Sequence, residues 1–324
     1  MIKKYFVLAI FFLNFYSYGQ SFAPAPGQVG STAIHKDSSI ITAWASTCSV
    51  TRGPMQIDHP EYGLASYGSD IDGVGFAEGN SVNVVSFGDG GSAILTFNPP
   101  IKNGFGSDFA IFENGFADHY MEFAFVEVSS NGIDYFRFPA VSQTPLVPQM
   151  DNASFGNCAY VHNLAGKYRQ GFGTPFDLED LDSISNLNLN AITHIRLVDV
   201  VGITNSTYGT IDAYGNLIND PWPTNFESSG FDLDGIGVIN QGELFLSEHQ
   251  LTFDIAPNPF NNILNLNILE EMNIEIIDQI GKVIYQGIHK GKSVLNLAYL
   301  TPGIYFVRLN NGKSVQTARV LKNQ

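Results

Sequence analysis

The sequence predicts an all-β protein, with a jelly-roll-like β-sandwich body followed by a small Ig-like β-sandwich. Gly, Asn, Ser, Thr, Phe and Tyr are used heavily while helix-forming residues are sparse, which favours short strands joined by turns. Hydrophobic residues make up 44% of the 324 positions and charged residues 15%, a balance that excludes wholesale disorder. This length suits about two domains.

Residues 1–19 are predicted to be a signal peptide. Lys3 and Lys4 form a basic start, and residues 5–15 form an apolar run of the length typical of secretory signals. Ser17 and Gly19 are small residues placed for cleavage before Gln20. The apolar run is too short for a helix to span a bilayer core of ~30 Å. We therefore expect export without a stable membrane span.

The two cysteines leave two alternatives open. Cys48 and Cys158 could form one disulfide after export, which would stabilise the fold by ~4 kcal/mol in the loop-entropy model. They could equally be buried free thiols that pack as small hydrophobic residues. No Cys-x-x-Cys spacing is present, so the pair predicts no zinc site.

Negative charge is concentrated in the body. Residues 21–250 contain 26 acidic and 7 basic residues, a net charge of −19, whereas residues 251–324 carry a net charge of +2. A domain this acidic repels phosphate backbones and anionic lipids. Nucleic acids and anionic membrane surfaces are therefore poor partners for the body.

Short apolar or alternating segments predict the strands of the body, residues 20–240. The clearest are residues 92–97, 109–112, 123–129, 136–138, 192–199 and 231–239. Asn131-Gly132 predicts a tight hairpin, because both residues tolerate positive φ. Asp177 is expected to cap one short helical turn over residues 177–184.

Residues 241–250 are predicted to be a linker before a second strand-rich segment. That segment, residues 251–324, contains candidate strands at residues 263–268, 274–278, 282–286, 293–297, 304–309 and 314–321. Asn310-Asn311-Gly312 is a strong hairpin signal. Short strands at this spacing predict a small antiparallel sandwich.

Four ordered motifs carry a resemblance over residues 251–324. They are Ala256-Pro-Asn-Pro-Phe260, the stretch Ile274-Glu-Ile-Ile-Asp-Gln-Ile-Gly-Lys282, the stretch Leu300-Thr-Pro-Gly-Ile-Tyr-Phe-Val307, and a basic end at Lys322. The segment resembles the type A C-terminal sorting domain of the type IX secretion system of Bacteroidetes. The resemblance implies export through that machinery, removal of the domain, and release or attachment at the cell surface. An ordinary Ig-like accessory domain is the alternative.

A second resemblance covers residues 60–240. The motifs that carry it are Ser86-Phe-Gly-Asp-Gly-Gly91, Asp108-Phe-Ala-Ile-Phe-Glu-Asn-Gly-Phe116, Val126-Glu-Val-Ser-Ser130, Leu164-Ala-Gly-Lys-Tyr168, Gly173-Thr-Pro-Phe-Asp-Leu178 and Gly230-Phe-Asp-Leu-Asp234. The body is similar to a family of bacterial cell-surface proteins that carry type IX or PEP-CTERM sorting signals. Some members lie beside genes for nutrient uptake, including cobalamin uptake, which implies ligand capture.

Acidic loops beside glycines predict a calcium site. Calcium takes six to eight oxygen ligands, and such loops supply carboxylate and carbonyl oxygens together. The candidate ligands are Asp70, Asp72, Glu113, Asp199, Asp212, Asp220, Asp232 and Asp234. The alternative is that Asp and Gly only form turns. For Glu113 the simpler expectation is a side chain in solvent, and the other is a cleft shared with Glu127 or Asp199.

The segment Asp220-Pro-Trp-Pro-Thr224 predicts a ligand contact. Two prolines hold Trp222 on a stiff loop, where its indole could stack on a sugar or a corrin-like face. Tyr208 and Tyr214 are nearby in sequence and complete the predicted aromatic set. The alternative is that Trp222 fills the core.

No known catalytic signature is present: His-Glu-x-x-His, Gly-x-Ser-x-Gly and the phosphate-binding Gly-Lys-Ser/Thr loop are all absent. We therefore expect a secreted or cell-surface, non-enzymatic module that captures a glycan or a nutrient such as cobalamin, stabilised by calcium. The alternatives are an extracellular hydrolase acting on polysaccharide or protein, and a structural or adhesive surface protein.

Overall fold

A computed structural model describes residues 21–153, 156–242, 253–312 and 315–323. The predicted signal peptide and most of the predicted linker lie outside these residues. The chain forms two compact units, Met1–Leu244 and Phe245–Gln324. The described residues form strands and four short 3₁₀ turns, with no α-helix, so the predicted all-β class is confirmed. No helix in the described part of the chain is long and apolar enough to cross a membrane.

Thirteen strands build the first unit, which we call the body. In chain order they are β1 (Ile34–His35), β2 (Ala43–Trp44), β3 (Thr47–Thr51), β4 (Val85–Ser86), β5 (Ser92–Ile101), β6 (Phe109–Glu113), β7 (Ala124–Ser129), β8 (Phe136–Arg137), β9 (Val141–Ser142), β10 (Val161–His162), β11 (Phe172–Phe176), β12 (Ile192–Asp199) and β13 (Asp232–Val238).

The body is a sandwich of two antiparallel sheets. One sheet has the strand order β1-β11-β6-β13-β2, with β4 also paired to β13, and the other has the order β3-β5-β12-β7-β8. Strands β9 and β10 form a separate short ladder. The central strands β6, β7 and β13 are buried along their whole length. Their side chains are therefore enclosed on both faces of the sheet, including the acids Glu113, Glu127 and Asp232.

One hydrophobic core joins the two sheets. Phe109 and Leu233 come from the first sheet and Val126 and Leu197 from the second, and all four are fully buried in the same cluster. The ring of Phe109 stacks on that of Phe176 with centroids 5.4 Å apart. Each such side chain stabilises the fold by ~2 kcal/mol relative to an exposed one. This packing fixes the ends of the strands relative to one another.

The predicted hairpin at Asn131-Gly132 is confirmed. Strands β7 and β8 pair across it, with Glu127 opposite Arg137. The Asn131 Oδ1 atom accepts hydrogen bonds from the N–H groups of Ile133 and Asp134, and Gly132 has a φ of 73°. The predicted cap is also present, because Asp177 accepts a hydrogen bond from the Glu179 N–H at the start of a 3₁₀ turn.

The second unit is one antiparallel sheet of five strands. They are β14 (Phe253–Ala256), β15 (Ile263–Ile277), β16 (Val283–Asn296), β17 (Gly303–Asn310) and β18 (Val315–Lys322). The prediction of four short strands over residues 263–297 was wrong, since β15 and β16 are continuous. A register shift between Ile268 and Met272 separates the part of β15 that pairs with β14 from the part that pairs with β17.

Both cysteines are free thiols. Cys48 lies half-buried beside the core between the sheets, and Cys158 is buried in a second hydrophobic cluster. The structure therefore shows the free-thiol alternative. Burial raises the pKa of Cys48 to about 12, so its thiol is protonated and unreactive at neutral pH.

Asp108 ties three connections of the body to the start of β6. Its Oδ1 atom accepts hydrogen bonds from the Gly104 N–H and the Asn240 side-chain amide, and its Oδ2 atom accepts one from the Leu178 N–H, at 2.8–2.9 Å. The side chain is fully buried. Removing it leaves buried donors without partners, which is costly.

We therefore expect Asp108→Ala to lower the free energy of unfolding by about 2–4 kcal/mol. Urea unfolding followed by tryptophan fluorescence measures the change. Asp134→Ala is the control, because Asp134 is exposed and accepts one hydrogen bond from Asn131. Equal losses in the two variants would contradict the assigned role of Asp108.

Candidate functional site

Four strand ends bring carboxylates to one end of the sandwich. In the first sheet β6 ends at Glu113, and its antiparallel neighbour β13 begins at Asp232. In the second sheet β12 ends at Asp199, and its antiparallel neighbour β7 begins two residues after Glu122. Because antiparallel neighbours end and begin at the same edge, each sheet presents two acidic side chains there.

The carboxylates of Glu113, Asp220 and Asp232 share one arrangement. In each, a single oxygen is held: Glu113 Oε2 by the Gly115 N–H at 2.7 Å, Asp220 Oδ2 by the Phe123 N–H at 3.0 Å, and Asp232 Oδ2 by the Asn114 amide at 2.8 Å. The other oxygen of each is buried without a hydrogen-bond partner. Three fixed carboxylates therefore each retain one free acceptor.

The Glu122 carboxylate has fewer hydrogen bonds than these three acids. It is 7% exposed, and among the described residues no hydrogen bond reaches its carboxylate. Burial raises the pKa of Glu122 well above its usual value, and the charges of Asp232, Glu113, Asp220 and Asp199 raise it further. These five acids consequently lie within electrostatic range of one another, and we call them the carboxylate cluster.

The same causes act on the other cluster members. Burial raises the pKa of Glu113 well above its usual range, with Asp232 adding to the effect and the Gly115 N–H opposing it. Burial likewise raises the pKa of Asp220, and the charges of Asp199 and Glu113 contribute. These groups strongly resist becoming charged together.

Asp232 differs because positive and polar neighbours oppose its burial. Desolvation raises the pKa of Asp232, and the nearby Ser86 hydroxyl, the Asn114 amide and the Arg52 charge limit this rise. The pKa of Asp232 is raised to about 7 as a result. The Arg52 guanidinium is itself held by the backbone carbonyls of Tyr67, Ser86 and Gly68. Arg52 therefore moderates the cluster without neutralising it.

Asp199 anchors the cluster to the backbone. Its Oδ1 accepts a hydrogen bond from the Phe231 N–H at 2.7 Å, and its Oδ2 accepts one from the Gly90 N–H at 2.9 Å. Gly230 has a φ of 71°, and a Cβ atom there would lie 2.8 Å from Asp199 Oδ1. Burial also raises the pKa of Asp199, with Asp89 as the next cause. Both of its oxygens are used, so its role is to position the loop before β13.

A cleft of about 290 Å³ opens onto the cluster. Glu122 and Asp232 are its acidic lining residues, and Asn114, Ser81, Thr224 and Ser228 are its neutral polar ones. Four aromatic side chains also line it: Tyr67, Phe116, Tyr120 and Phe226. We call this site the acidic cleft.

The aromatic lining is partly open to solvent. Phe116 is 64% exposed and Phe226 47% exposed, and Phe116 stacks on Tyr120 with ring centroids 4.5 Å apart. The Tyr67 hydroxyl donates a hydrogen bond to the Val82 carbonyl at 2.8 Å, which fixes the opposite ring. The acidic cleft therefore combines flat apolar surfaces with acceptor groups.

The fold brings together four of the eight predicted calcium ligands, namely Glu113, Asp199, Asp220 and Asp232. The expectation that Glu113 points into solvent was wrong, because it is 1% exposed. The expected neighbour Glu127 is instead paired with Arg137 at 2.8 Å and with Arg196. Glu127 is therefore part of an ion-pair network on the second sheet.

The other four candidates have hydrogen-bond partners elsewhere in the body. Asp72 accepts hydrogen bonds from the Ser69 N–H and hydroxyl, and Asp70 accepts one from the Val50 N–H. Both oxygens of Asp234 are taken by the Glu78 and Gly79 N–H groups. Among the described side chains, no three His, Cys, Asp or Glu residues already surround a metal-sized position.

Asp212 holds a turn. It accepts hydrogen bonds from the N–H groups of Ser142, Tyr214 and Asn216. Burial raises the pKa of Asp212, but these hydrogen bonds outweigh it, so the pKa lies below its usual value. This agrees with the alternative that Asp212 forms a turn. Asp220 instead accepts a hydrogen bond from the Phe123 N–H.

The predicted aromatic set is not assembled in the acidic cleft. The Trp222 indole N–H is buried without a hydrogen-bond partner, although Asp89 lies within range of it. Tyr214 is 73% exposed and lines a different depression, of about 700 Å³, together with His162 and Asp180. Tyr208 is 41% exposed. No ring contact joins these three among the described residues.

Sequence reasoning missed Glu122 and the four aromatic lining residues. Glu122 lies between Met121 and Phe123, which are 1% and 0% exposed. An acid between two core residues at a strand start is the signal that could have found it. Phe116, Tyr120 and Phe226 lie in loops without regular periodicity, so only the fold shows that they meet.

Comparison with known proteins identifies the second unit. Residues 254–323 match the family described as secretion system C-terminal sorting domain. This segment is a type IX sorting domain. The protein is accordingly exported to the cell surface or the extracellular space, and its sorting domain interacts with the type IX secretion machinery.

The solved structures similar to the chain share little sequence identity with it. No curated protein matches the chain. Solved structures with a similarity include Lactobacillus rhamnosus beta-glucuronidase (12% identity, TM-score 0.22, 87% of this chain and 44% of that one). Ruminococcus gnavus beta-glucuronidase with D-glucaro 1,5-lactone is another (9% identity, TM-score 0.22, coverage 86% and 44%). The chain spans less than half of these enzymes, and such TM-scores carry no functional argument.

Glu122→Gln should stabilise the unliganded protein, more at high pH than at low pH. Because the pKa of Glu122 is raised above its usual value of 4.5, folding binds a proton, and wild-type stability falls as pH rises above that value. Glutamine has no such dependence. Thermal melts between about pH 5 and about pH 8 should show a melting-temperature advantage that grows with pH.

Glu227→Gln provides the matched control for this substitution, because Glu227 is exposed. We expect no pH-dependent advantage from it. A Glu122→Gln variant that melts below wild type at about pH 8 would contradict the assigned cost of the buried charge.

Proposed function

We propose that the body is a non-enzymatic ligand-binding module that takes a hydroxylated extracellular ligand, a glycan or a small nutrient, in the acidic cleft. The observation that carries this proposal is the meeting of exposed aromatic rings with fixed carboxylates that retain free acceptor oxygens. Ligand sites generally combine apolar walls with a few converging polar groups. The acidic cleft has both.

The aromatic rings supply the apolar part of the contact. Phe116 and Phe226 expose rings that gain by being covered, because each Å² of apolar surface removed from water contributes ~25 cal/mol. The pyranose faces of sugars present C–H groups that such rings can cover. A volume of about 290 Å³ suits one ring-sized group of a larger ligand.

The carboxylates orient the ligand through hydrogen bonds. Sugar hydroxyl groups donate hydrogen bonds, and Asp232 Oδ1 is a buried acceptor without a partner. Glu122 and the Asn114 amide line the same cleft. A donor-rich ligand satisfies these groups, whereas an apolar ligand leaves them unpaired at a cost of ~1–3 kcal/mol each.

Hydrolysis is the second candidate, because Glu122 and Asp232 share the cleft and both have a raised pKa. Paired carboxyl groups of this kind act as acid and base in glycoside hydrolysis. Release of reducing sugar that is lost in Asp232→Asn would establish this alternative. Binding without turnover supports the module.

Calcium binding stays part of the proposal. The free oxygens of Glu113, Asp220 and Asp232 are hard acceptors of the type that calcium prefers. No three of the described side chains already hold a metal-sized position, so these acids would have to draw together around an ion. Carbonyl groups and water would complete the coordination.

A binding screen of the full chain tests the proposal. Against immobilised glycans and cobalamins, with and without calcium, Phe226→Ala and Phe116→Ala should weaken binding of any hit about tenfold, a loss of ~1.4 kcal/mol. Phe105→Ala is the matched control, because Phe105 is exposed and does not line the cleft. Hits that respond to Tyr214→Ala instead would place the ligand in the other depression.

Melting experiments test calcium separately. EDTA should lower the melting temperature of the body and calcium should restore it, since a ligand at a hundred times its dissociation constant stabilises by ~2.7 kcal/mol. Asp220→Asn should remove the response, and Asp70→Asn should keep it. A melting temperature indifferent to both reagents removes calcium from the proposal.

A further inference from the structure

We infer that the acidic cleft recognises an organic ammonium group, such as that of an amino sugar or a quaternary amine, seated between its aromatic rings and the carboxylates of Glu122 and Asp232. This inference rests on the proposed binding function and narrows its ligand class from hydroxylated molecules in general to those that carry a positive charge.

The charge balance of the cleft is the first argument. None of its described lining residues is Lys, Arg or His, while Glu122 and Asp232 are 7% and 4% exposed. Arg52, the cation whose field reaches Asp232, already donates to three backbone carbonyls. With a neutral ligand Glu122 and Asp232 avoid their mutual repulsion by staying protonated, whereas a cationic ligand stabilises their charged forms and a ligand anion adds to the repulsion.

The free acceptors are the second argument. Asp232 Oδ1 is buried without a partner, and no hydrogen bond reaches the Glu122 carboxylate among the described residues. Both groups line the cleft. A protonated amine donates charge-assisted hydrogen bonds, which are about twice as strong as neutral ones, whereas a quaternary amine has no N–H group and supplies only its charge. A protonated amine therefore satisfies both the charge and the free acceptors of the cleft.

The aromatic walls are the third argument and decide between organic and metal cations. Phe116, Tyr120 and Phe226 line the same cleft as the acids, and aromatic faces attract alkylammonium groups while covering their apolar carbons. A calcium ion takes oxygen ligands only, so three hydrocarbon rings contribute nothing to it.

Two matched ligand pairs test the inference on the full chain by calorimetry. Choline is compared with its uncharged isostere 3,3-dimethylbutan-1-ol, and glucosamine with N-acetylglucosamine, in buffer of about 0.15 M salt, where nonspecific attraction to the acidic body is screened. At least one charged member should bind about ten times more tightly than its neutral partner. Calcium chloride is titrated as a third ligand.

Glu122→Gln should remove the preference for charge, and Phe226→Ala should weaken binding of both members of a pair. Asp134→Asn makes the same charge change on an exposed turn outside the cleft and should leave affinity unchanged. Melting curves confirm that each variant is folded, so a lost preference reports on recognition.

The outcomes separate this inference from the function on which it rests. Equal binding of charged and neutral partners, or calcium displacing the amine from a higher-affinity site, overturns the ammonium inference and leaves glycan or nutrient binding in place. Amine binding that persists in Glu122→Gln also overturns it. If no glycan, nutrient or amine responds to the Phe226→Ala substitution, the proposed function of the cleft fails as well.

Discussion

Mutual repulsion within the carboxylate cluster is the constraint on which the functional end of the body depends. Glu113, Glu122, Asp220 and Asp232 are buried within range of one another, and three of them have an oxygen without a partner. Natural interiors pair such groups, so these unpaired oxygens support the proposed ligand site. The hydrophobic core of the sandwich offsets the free-energy cost of burying these acids.

The rest of the body is built so that these groups cannot relax apart. Asp199 binds two backbone N–H groups that belong to different loops, one before β13 and one before β5. Asp220 is fixed to the backbone just before β7. The sheets are joined by one continuous core, so moving one acid away requires displacing a strand end. Rigidity of this kind pre-organises a binding site and lowers the entropic cost of binding.

Export is assigned to the second unit, whereas the proposed ligand site lies in the body. The sorting domain has a separate hydrophobic core of its own, and its match covers residues 254–323. The acidic residues that form the cleft all lie in the body. The sorting motifs and the carboxylates share no strand or loop.

Local physics made much of the architecture readable from the sequence. Propensity and turn chemistry act over a few neighbouring residues, and they predicted the all-β class, the strand over Ile192–Asp199, the Asn131-Gly132 hairpin and the Asp177 cap. The sorting domain was recognised from the resemblance of its ordered motifs. The continuity of β15 and β16 could not be predicted in this way, because their central residues are polar and typical of turns, and strand pairing overrides that local preference.

The sequence predicted only part of the candidate site. Sequence alone marked Glu113, Asp199, Asp220 and Asp232 as notable acids, but the same pattern also selected Asp70, Asp72 and Asp212, whose hydrogen bonds hold other parts of the body. Only the tertiary structure decided which acids converge, since that depends on antiparallel strands ending at one edge and on two sheets meeting there. Phe116, Tyr120 and Glu122 are close together in the sequence, but only the fold brings Tyr67, Phe226 and Asp232 to the same cleft.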